Sequence, residues 1–468
     1  MTDAVNDNFT IDSSSFRDRT AQVFHYNGKI YRGLNSSAAK VYLELSETNA
    51  WSKLVAENKI IHTSIDHEIS KSIDVQYWAM VLNHQKIPFI SYPYEWPFEM
   101  LKQAALLQLE IMQALLNDGY ILKDGSAYNV QWQGTSPVFI DIGSIDKFHG
   151  EGMWSGYRQF CQHFLYPLML RAYKSIDSSN LLRSNLEGID AAQCRRMLGV
   201  GSIFKKGVLF HVTLQDLSSR NSKLRNKKVS KLSLPEQDLL KMISNNIRGL
   251  AGIIKKLDLR EKSHWGSYGD THSYNSSDSE TKEKFIHSIG EFKEWDVVWD
   301  IGCNNGKYSK IIAEYSRYVV AADADHTTVN NLFNDLVCQT KNNILPLCMN
   351  LVNPSPSQGW DRRERLAFTE RGKPQLIIAL ALIHHIVISN YIPLRYFLDW
   401  LKTNCTYLVI EFVDNDDSMV KILLENIDEP VSDYTKNNFE VELRKRFNIL
   451  KETTLENNQR TLYFCEAE

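Results

Sequence analysis

Short apolar runs separated by polar stretches recur through the second half of the chain. They occupy residues 297–299, 318–322, 344–351, 375–382 and 408–413. A continuous apolar run of this length, bounded by turn residues, is typical of a strand buried on both faces. Helical stretches over 307–315 and from 326 to about 338 separate the first three runs. This alternation predicts an α/β fold with a mostly parallel sheet.

The first half of the chain has a different pattern. Residues 23–31 alternate around Asn27-Gly28, which is a hairpin signal, and two helical stretches follow over 38–57 and 100–118. Gly119 is positioned to end the second of these helices. The pattern predicts an α+β module. A polar lead over 1–18 precedes it.

A polar, basic stretch between Leu217 and Leu232 is the best linker candidate in the sequence. A helix over 235–257 would then lead into the second domain. Phosphate binding by the basic side chains is one interpretation, and a solvated exposed segment is the one we favour. The predicted division is therefore a lead over 1–18, a module over 19–215, a connection over 216–260 and a second domain over 261–468.

Composition narrows the functional classes. The 468 residues carry a net charge of -3, so the whole chain lacks the basic footprint of a nucleic-acid-binding protein. Seven cysteines, an odd number without a C-x-x-C pair, favour reduced thiols in the cytoplasm over disulfides or a zinc site. No apolar run reaches the length of about 18 residues that would suggest a membrane span.

The turn after the first apolar run carries the most specific chemistry. Asp300 ends the run, Gly302 and Gly306 frame the turn, and Asp323 ends the next run. Glycines permit backbone angles and a close approach that a Cβ would prevent, and a carboxylate can accept both hydroxyls of a ribose. The spacing G-x-x-x-G is neither the G-x-G-x-x-G dinucleotide fingerprint nor a P-loop. A Rossmann-like domain of another class is one interpretation of this unit.

This unit resembles the class I methyltransferases that use S-adenosylmethionine. The resemblance implies a Rossmann-like domain with a seven-stranded, mostly parallel sheet, closed by a helix over 439–447 and an antiparallel hairpin. It implies cofactor-binding roles for Asp300, Gly302, Asn304, Gly306, Asp323, Asn350, Ala381, Trp265 and Tyr268. Asn350 stands where many members of the class have Asp, and its side-chain carbonyl can accept a hydrogen bond from adenine. Trp265 and Tyr268 precede the first strand, where such enzymes fold a lid, although packing of a surface loop explains them equally well.

Three side chains lie at or after the ends of the fourth and fifth apolar runs, at the side where the resemblance implies an acceptor. His384 and His385 are adjacent, and Glu411 lies at the carboxyl end of the fifth run. One imidazole would act as base or orienter for the acceptor, since histidine titrates near working pH. The alternative is that one histidine packs against the lid and the other contacts backbone.

A second constellation lies in the first half. Asp124, Asn129 and Asp141 follow a long helix with the spacing D-x-x-x-x-N and then Asp-Ile-Gly. The motif resembles protein-kinase-like phosphotransferases, which implies Asp124 as base, and Asn129 and Asp141 as ligands of magnesium with ATP. The His-Arg pair, the Gly-rich loop and the Val-Ala-Ile-Lys strand of that class are missing. We therefore favour a kinase-like scaffold in which the three side chains form an internal cluster.

Residues 353–365, the segment 390–394, the strand end Ala379-Leu380-Ala381-Leu382-Ile383-His384-His385 and the loop around Asp124 together resemble a bacterial family of nodulation-protein-like, S-adenosylmethionine-dependent methyltransferases. The resemblance implies a methyltransferase, which we expect to O-methylate a small-molecule or glycan acceptor held with help from the kinase-like module. The alternatives are a bifunctional methyltransferase-kinase and a non-catalytic S-adenosylmethionine-binding protein. Nucleic acid is not an expected partner.

Overall fold

The structure is a computed structural model of the chain. It describes residues 9–69, 78–150, 152–220, 235–259, 276–426, 433–456 and 458–468. The described residues form two compact units. Unit 1 comprises the described parts of Met1–Trp132, Pro137–Glu261 and Ser357–Arg365, and unit 2 those of Gln133–Ser136, Lys262–Pro356 and Leu366–Glu468.

Unit 1 begins with an antiparallel sheet in the order β1-β2-β3-β5-β4. Its strands are β1 (Phe9–Ile11), β2 (Ala21–Tyr26), β3 (Lys29–Leu34), β4 (Thr63–Ile65) and β5 (Met80–His84). The predicted hairpin is confirmed: β2 pairs with β3 across a turn in which Asn27 and Gly28 both have positive φ, the geometry that the Asn-Gly signal indicates. Two further pairs follow, β6 (Tyr120–Leu122) with β9 (Ile145–Lys147), and β7 (Val130–Gln133) with β8 (Ser136–Phe139).

The described part of unit 1 also contains helices. They are α1 (Ser36–Ser46), α2 (Asn49–Ala56), α3 (Phe98–Asn117), α4 (Tyr157–Phe160), α5 (Tyr166–Lys174), α6 (Ser179–Ser184), α7 (Ala191–Leu198), α8 (Leu214–Arg220) and α9 (Glu236–Ile254). A single helix over 38–57 was expected, but Thr48 caps a new one by accepting from the amide of Trp51, so the stretch divides into α1 and α2. Gly119 follows α3 with φ +79°, as expected of a helix stop.

Unit 2 is built on a seven-stranded sheet in the order β12-β11-β10-β13-β14-β16-β15. Its strands are β10 (Trp295–Ile301), β11 (Ser316–Asp323), β12 (Ile344–Cys348), β13 (Leu376–Ala379), β14 (Tyr407–Val413), β15 (Phe447–Thr454) and β16 (Arg460–Ala467). The first five strands run parallel, and β16 pairs antiparallel with both β14 and β15. Five parallel strands with a terminal antiparallel hairpin form the Rossmann-like arrangement expected from the apolar runs.

Helices lie between these strands. They are α10 (Ser276–Gly290), α11 (Lys307–Ala313), α12 (His326–Val337), α13 (Leu394–Asn404), α14 (Ser418–Glu425) and α15 (Lys436–Arg444). Ile286, Ile312 and Leu332 from three of them pack with sheet residues such as Val319 and Ile378 in one buried cluster. Most positions of the parallel strands are apolar and buried, because helices cover the sheet.

Some details differ from the expectation. Strand β12 ends at Cys348 rather than Asn350, and the chain then turns where the Asn353 amide donates to the Asn350 carbonyl. Residues 357–365, expected within the second domain, belong to unit 1. Most of the expected linker and the expected lid, at 221–234 and 260–275, lie outside the described residues. Among the residues that are described, no helix is long and apolar enough to cross a membrane.

Candidate functional site

The strand order of unit 2 determines where a ligand can bind. The chain moves outward from β10 through β11 to β12, and then returns to the other side of β10 with β13. In open α/β sheets the crevice at such a switch point, outside the carboxyl ends of the strands, is the usual ligand site. The residues that follow β10, β11 and β13 therefore define the candidate site.

The turn after β10 brings its backbone close to neighbouring elements. Gly302 and Gly306 have φ of +75° and +72°, a region that glycine enters without strain. A Cβ at Gly306 would lie 2.5 Å from a Leu332 methyl group, and one at Gly302 would lie 3.2 Å from Leu382 after β13. Asn304, between the two glycines, is also left-handed at φ +49°. The turn is thus a tight backbone cradle that larger residues would fill.

Asp323 joins this turn to the end of β11. One of its carboxylate oxygens accepts from the amide of Asn304 and the other from the amide of Asp325, both at 2.9 Å. Burial raises the pKa of Asp323, and the backbone donors oppose this by favouring the charged form. An ionised carboxylate has about four lone-pair sites, so acceptor capacity remains for hydroxyl groups of a ligand.

Asp300 lies beneath the turn rather than at its surface. Its carboxylate is buried and accepts from the Ser309 hydroxyl of α11 at 2.5 Å. Burial raises the pKa of Asp300 to about 7. The side chain therefore ties the end of β10 to α11, and it gains or loses a proton near neutral pH.

The end of β12 presents Asn350 to solvent. Its side-chain oxygen accepts from the amide of Val352 at 3.0 Å, which closes a local turn. The preceding residue, Met349, bonds to the main chain of Asp323, so Asn350 lies next to the end of β11.

The turn after β13 is held from below by a buried carboxylate. Ala381 has φ +49°, unusual for a residue with a side chain, and its amide donates to Glu411 Oε2 at 2.8 Å. Glu411 is 0% exposed and Lys282, at 1%, approaches it to 2.7 Å. The neighbouring Arg460 lies 3.4 Å from Glu411, and these cations outweigh burial and lower the pKa of Glu411. Glu411, expected on the acceptor side, thus lies inside unit 2 beneath the backbone of Ala381.

The two histidines differ in their surroundings. His384 is buried, its Nδ1 has no hydrogen-bond partner among the described residues, and burial holds its pKa well below the usual range. His385 is only partly buried, and burial also lowers its pKa. Their ring centroids are 4.2 Å apart. Both imidazoles are therefore neutral near pH 7. The remaining two expected cofactor residues, Trp265 and Tyr268, lie outside the described residues.

The constellation in unit 1 contains an ion pair that the sequence analysis missed. Asp141 accepts from Arg32 of β3 at 2.8 Å. Asp124 is exposed as a residue, but neighbouring groups partly desolvate its carboxyl, and this desolvation together with the charge of Asp141 raises its pKa. The side-chain nitrogen of Asn129 is buried and has no partner among the described residues. Within the described ranges, no group of three or more His, Cys, Asp or Glu side chains could hold a metal ion.

Three buried cations thus escaped the sequence analysis: Arg32, Lys282 and Arg460. For Arg32 a signal was present, since it is the single charge between Ile30 and Leu34 in a strand. Such a residue is rarely buried unless it is paired. Lys282 gave no comparable signal, because it lies between other charged residues of α10 and its burial depends on the helix orientation.

The chain is similar over nearly its whole length to a nodulation protein. It is 31% identical over 465 residues to the nodulation protein NoeA of Rhizobium meliloti (strain 1021), covering 97% of this chain and 95% of the relative. No protein-family model matches the chain.

Solved methyltransferase structures are similar at low identity. The N-methyltransferase NodS from Bradyrhizobium japonicum WM9 is 9% identical, with a TM-score of 0.31 over 42% of this chain and 99% of that one. The magnesium protoporphyrin IX methyltransferase of Synechocystis PCC 6803, with bound S-adenosylhomocysteine, is 14% identical, with a TM-score of 0.30 over 44% of this chain and 96% of that one. The assignment of the fold rests on the strand order of unit 2.

Proposed function

We propose, for a chain that belongs to the family of nodulation protein NoeA, that it is a methyltransferase using S-adenosylmethionine on a small-molecule or glycan acceptor. One observation carries the proposal. Asp323, at the end of β11, accepts a hydrogen bond from the Asn304 amide. Asn304 belongs to the glycine turn after β10, at the switch point of the sheet. A carboxylate beside a backbone cradle suits a ligand that has ribose hydroxyls and a compact polar end. We expect this chemistry in the cytoplasm.

The residues of the turn would hold the cofactor. Gly302, Asn304 and Gly306 would lie along the methionine end, and Asp323 would accept from the ribose hydroxyls. Asn350 would contact the adenine by turning its side chain away from the Val352 amide, or through its amide nitrogen. Asp300 would act through Ser309 and the turn rather than by contact, because its carboxylate is buried.

S-adenosylmethionine supplies an electrophilic methyl group when bound, so the protein must align the acceptor and receive its proton. For a hydroxyl acceptor, S-adenosylmethionine would give its methyl group to the acceptor oxygen and would leave as S-adenosylhomocysteine, and a base of the protein would take the hydroxyl proton. His385 is a better candidate than His384 to accept the proton of the acceptor hydroxyl, because it is partly exposed and neutral. Glu411 is a positioning residue in this proposal, acting through the Ala381 amide.

The kinase-like module is the second part of the proposal. The helix, the D-x-x-x-x-N loop and the following hairpin of unit 1 support the resemblance, and Arg32 supplies a strand cation paired with Asp141. In this ion pair the Asp141 carboxylate, which would hold a metal in a kinase, already has Arg32 as its partner. We therefore favour a scaffold that helps to bind the acceptor. The bifunctional alternative requires Asp141 to leave Arg32 when nucleotide and magnesium bind.

Calorimetry of the full chain tests these proposals. S-adenosylmethionine and S-adenosylhomocysteine should each bind with one site per chain, and ATP with magnesium should not bind. Absence of binding by both sulfur compounds to folded protein would refute the cofactor proposal. ATP binding that is lost in Asp141→Ala would instead support the bifunctional enzyme. Cofactor binding without release of S-adenosylhomocysteine in the presence of any saccharide or small hydroxyl acceptor would favour the non-catalytic binding protein.

A further inference from the structure

A second surface, in unit 1, carries large apolar side chains in solvent. Phe204 is 94% exposed, Val200 88% and Phe210 67%. Leu209, Leu214 and Leu217 of the same stretch are also exposed. An isolated exposed apolar residue is ordinary, but six within eighteen positions form a concentration that usually marks an interaction site.

The stretch is anchored, so the exposure is not that of a frayed end. Val208 and Val212 are buried, and they face inward. Tyr157 bonds to the His211 ring, and Tyr166 donates to the His211 carbonyl, both at 2.6 Å.

The outward face of the stretch is also apolar. Phe210, Leu214 and Leu217 recur at helical spacing. Phe210 and Leu214 each lie two positions from a buried valine, which places them on the opposite side. One face therefore packs into unit 1 while the other offers a second apolar stripe.

Basic residues are close to this stripe in sequence. Arg196, Lys205 and Lys206 are exposed in the described structure. From residue 191 to 235 the sequence has ten basic residues: Arg195, Arg196, Lys205, Lys206, Arg220, Lys223, Arg225, Lys227, Lys228 and Lys231. The single acidic residue in that interval, Asp216, is buried and paired with Arg195. The positive charge is thus a property of this segment and not of the whole chain, which has a net charge of -3.

We propose that the apolar–basic surface, defined by Val200, Phe204, Lys205, Lys206, Phe210 and Leu214, docks on an anionic lipid bilayer. Phenylalanine and leucine side chains enter the boundary between headgroups and acyl chains, and lysines contact the anionic headgroups. A second copy of the chain would bring the same positive charges together, which disfavours self-association through this face. Docking would place the chain at a membrane surface through this face.

Vesicle co-sedimentation of the full chain tests the proposal. Vesicles containing phosphatidylglycerol should bind the protein, and vesicles of pure phosphatidylcholine should bind it much less. Binding should weaken as salt rises, because screening reduces attraction between exposed charges. The double variant Phe204→Ser/Phe210→Ser should lose at least about tenfold in binding, since each ring forfeits its apolar burial. Lys205→Glu/Lys206→Glu should lose a similar factor at low salt and less at high salt.

Matched variants and a second readout separate the outcomes. Leu43→Ser and Lys284→Glu change an exposed leucine and an exposed lysine elsewhere, and both should bind vesicles like the wild type. Equal binding by all variants, or none by the wild type, would overturn the proposal. A change of sedimentation coefficient in the phenylalanine variant without vesicles would assign the surface to a second copy instead. Binding of single-stranded RNA in preference to the vesicles would also contradict it.

Discussion

Asp323 is the residue on which the proposed cofactor site depends most directly. Its two oxygens accept from the amides of Asn304 and Asp325, so the carboxylate has a fixed orientation before a ligand binds. A carboxylate held in this way can bind a ribose without first losing side-chain freedom. The same bonds connect the turn after β10 to the turn after β11.

We predict that Asp323→Ala weakens binding of S-adenosylmethionine by about ten- to a hundredfold, since hydrogen bonds to charged groups contribute about 1.5–3 kcal/mol. Calorimetry gives the dissociation constant. Asp325→Asn is the control, because its side chain caps α12 at the amides of Thr327 and Thr328. Equal losses in both variants would mean that Asp323 acts only by ordering the turn.

Asp300 makes a prediction about pH. Burial raises its pKa to about 7 in the folded protein, while the ordinary value is 3.8. Between these values the folded state holds a proton that the unfolded chain has released. The free energy of unfolding therefore falls as pH rises from about 4 to 7, by up to about 1.4 kcal/mol per pH unit, and the stabilisation is complete only below pH 4.

Asp300→Asn keeps an oxygen for Ser309 but cannot ionise, so it should flatten this pH dependence. The measurement is urea unfolding of the two proteins at several pH values. Asp296→Asn, at the exposed start of the same strand, should follow the wild-type curve. Parallel curves for wild type and Asp300→Asn would show that Asp300 does not hold its proton in the folded state.

At the scale of elements, the parallel strands were predictable because burial on both faces leaves a continuous apolar run in the sequence. The same continuous apolar run does not show which face of the sheet a given side chain points to. Leu408, Val409, Ile410 and Glu411 are all buried in β14, so no alternation indicates which way Glu411 faces. Its partners come from α10 and β16, both distant in sequence, and only the assembled sheet brings them together.

Helix and strand ends were less predictable. The division of α1 from α2 depends on the Thr48 side chain, which accepts from the Trp51 amide, and the end of β12 at Cys348 is followed by a local turn in which the Asn353 amide donates to the Asn350 carbonyl. The glycine turn and Asp323 lie next to each other, since adjacent parallel strands end at the same edge of the sheet. The Arg32–Asp141 pair joins residues 109 positions apart, which no local pattern encodes.

The network beneath β13 gives a prediction about an element. Glu411→Gln should destabilise unit 2 by about 3–5 kcal/mol, because Lys282 is left buried without its counter-charge. It should also weaken cofactor binding, because the Ala381 turn loses its charged acceptor. Ala381→Gly adopts the left-handed conformation without the cost that an L-residue bears there, about 1–2 kcal/mol.

The double variant Glu411→Gln/Ala381→Gly should therefore recover part of the cofactor affinity but none of the stability lost at Lys282. Calorimetry and urea unfolding measure the two quantities separately. If affinity and stability recover together, or if neither recovers, then Glu411 does not act through the Ala381 turn.

At the scale of the whole molecule, the two units are not two successive lengths of chain. Residues 357–365 lie between β12 and β13 in sequence, yet they belong to unit 1. Arg17 pairs with Glu364 at 2.6 Å, and Arg365 stacks over Tyr128 at 4.2 Å. These contacts explain why a boundary at a single linker was an incomplete prediction, since they link residues more than two hundred positions apart.

The division into units gives a final prediction, for hydrogen exchange measured by mass spectrometry. Saturating S-adenosylmethionine should slow exchange in peptides covering 300–307, 323–326 and 380–385, because ligand binding stabilises the segments that it contacts. Exchange in peptides covering 120–145 should change little, since these peptides carry the kinase-like constellation and not the proposed cofactor site. ATP with magnesium, added separately, should leave both groups unchanged. Protection of 120–145 by ATP would identify a working nucleotide site in unit 1, and failure of S-adenosylmethionine to protect 300–307 would contradict the proposed cofactor cradle.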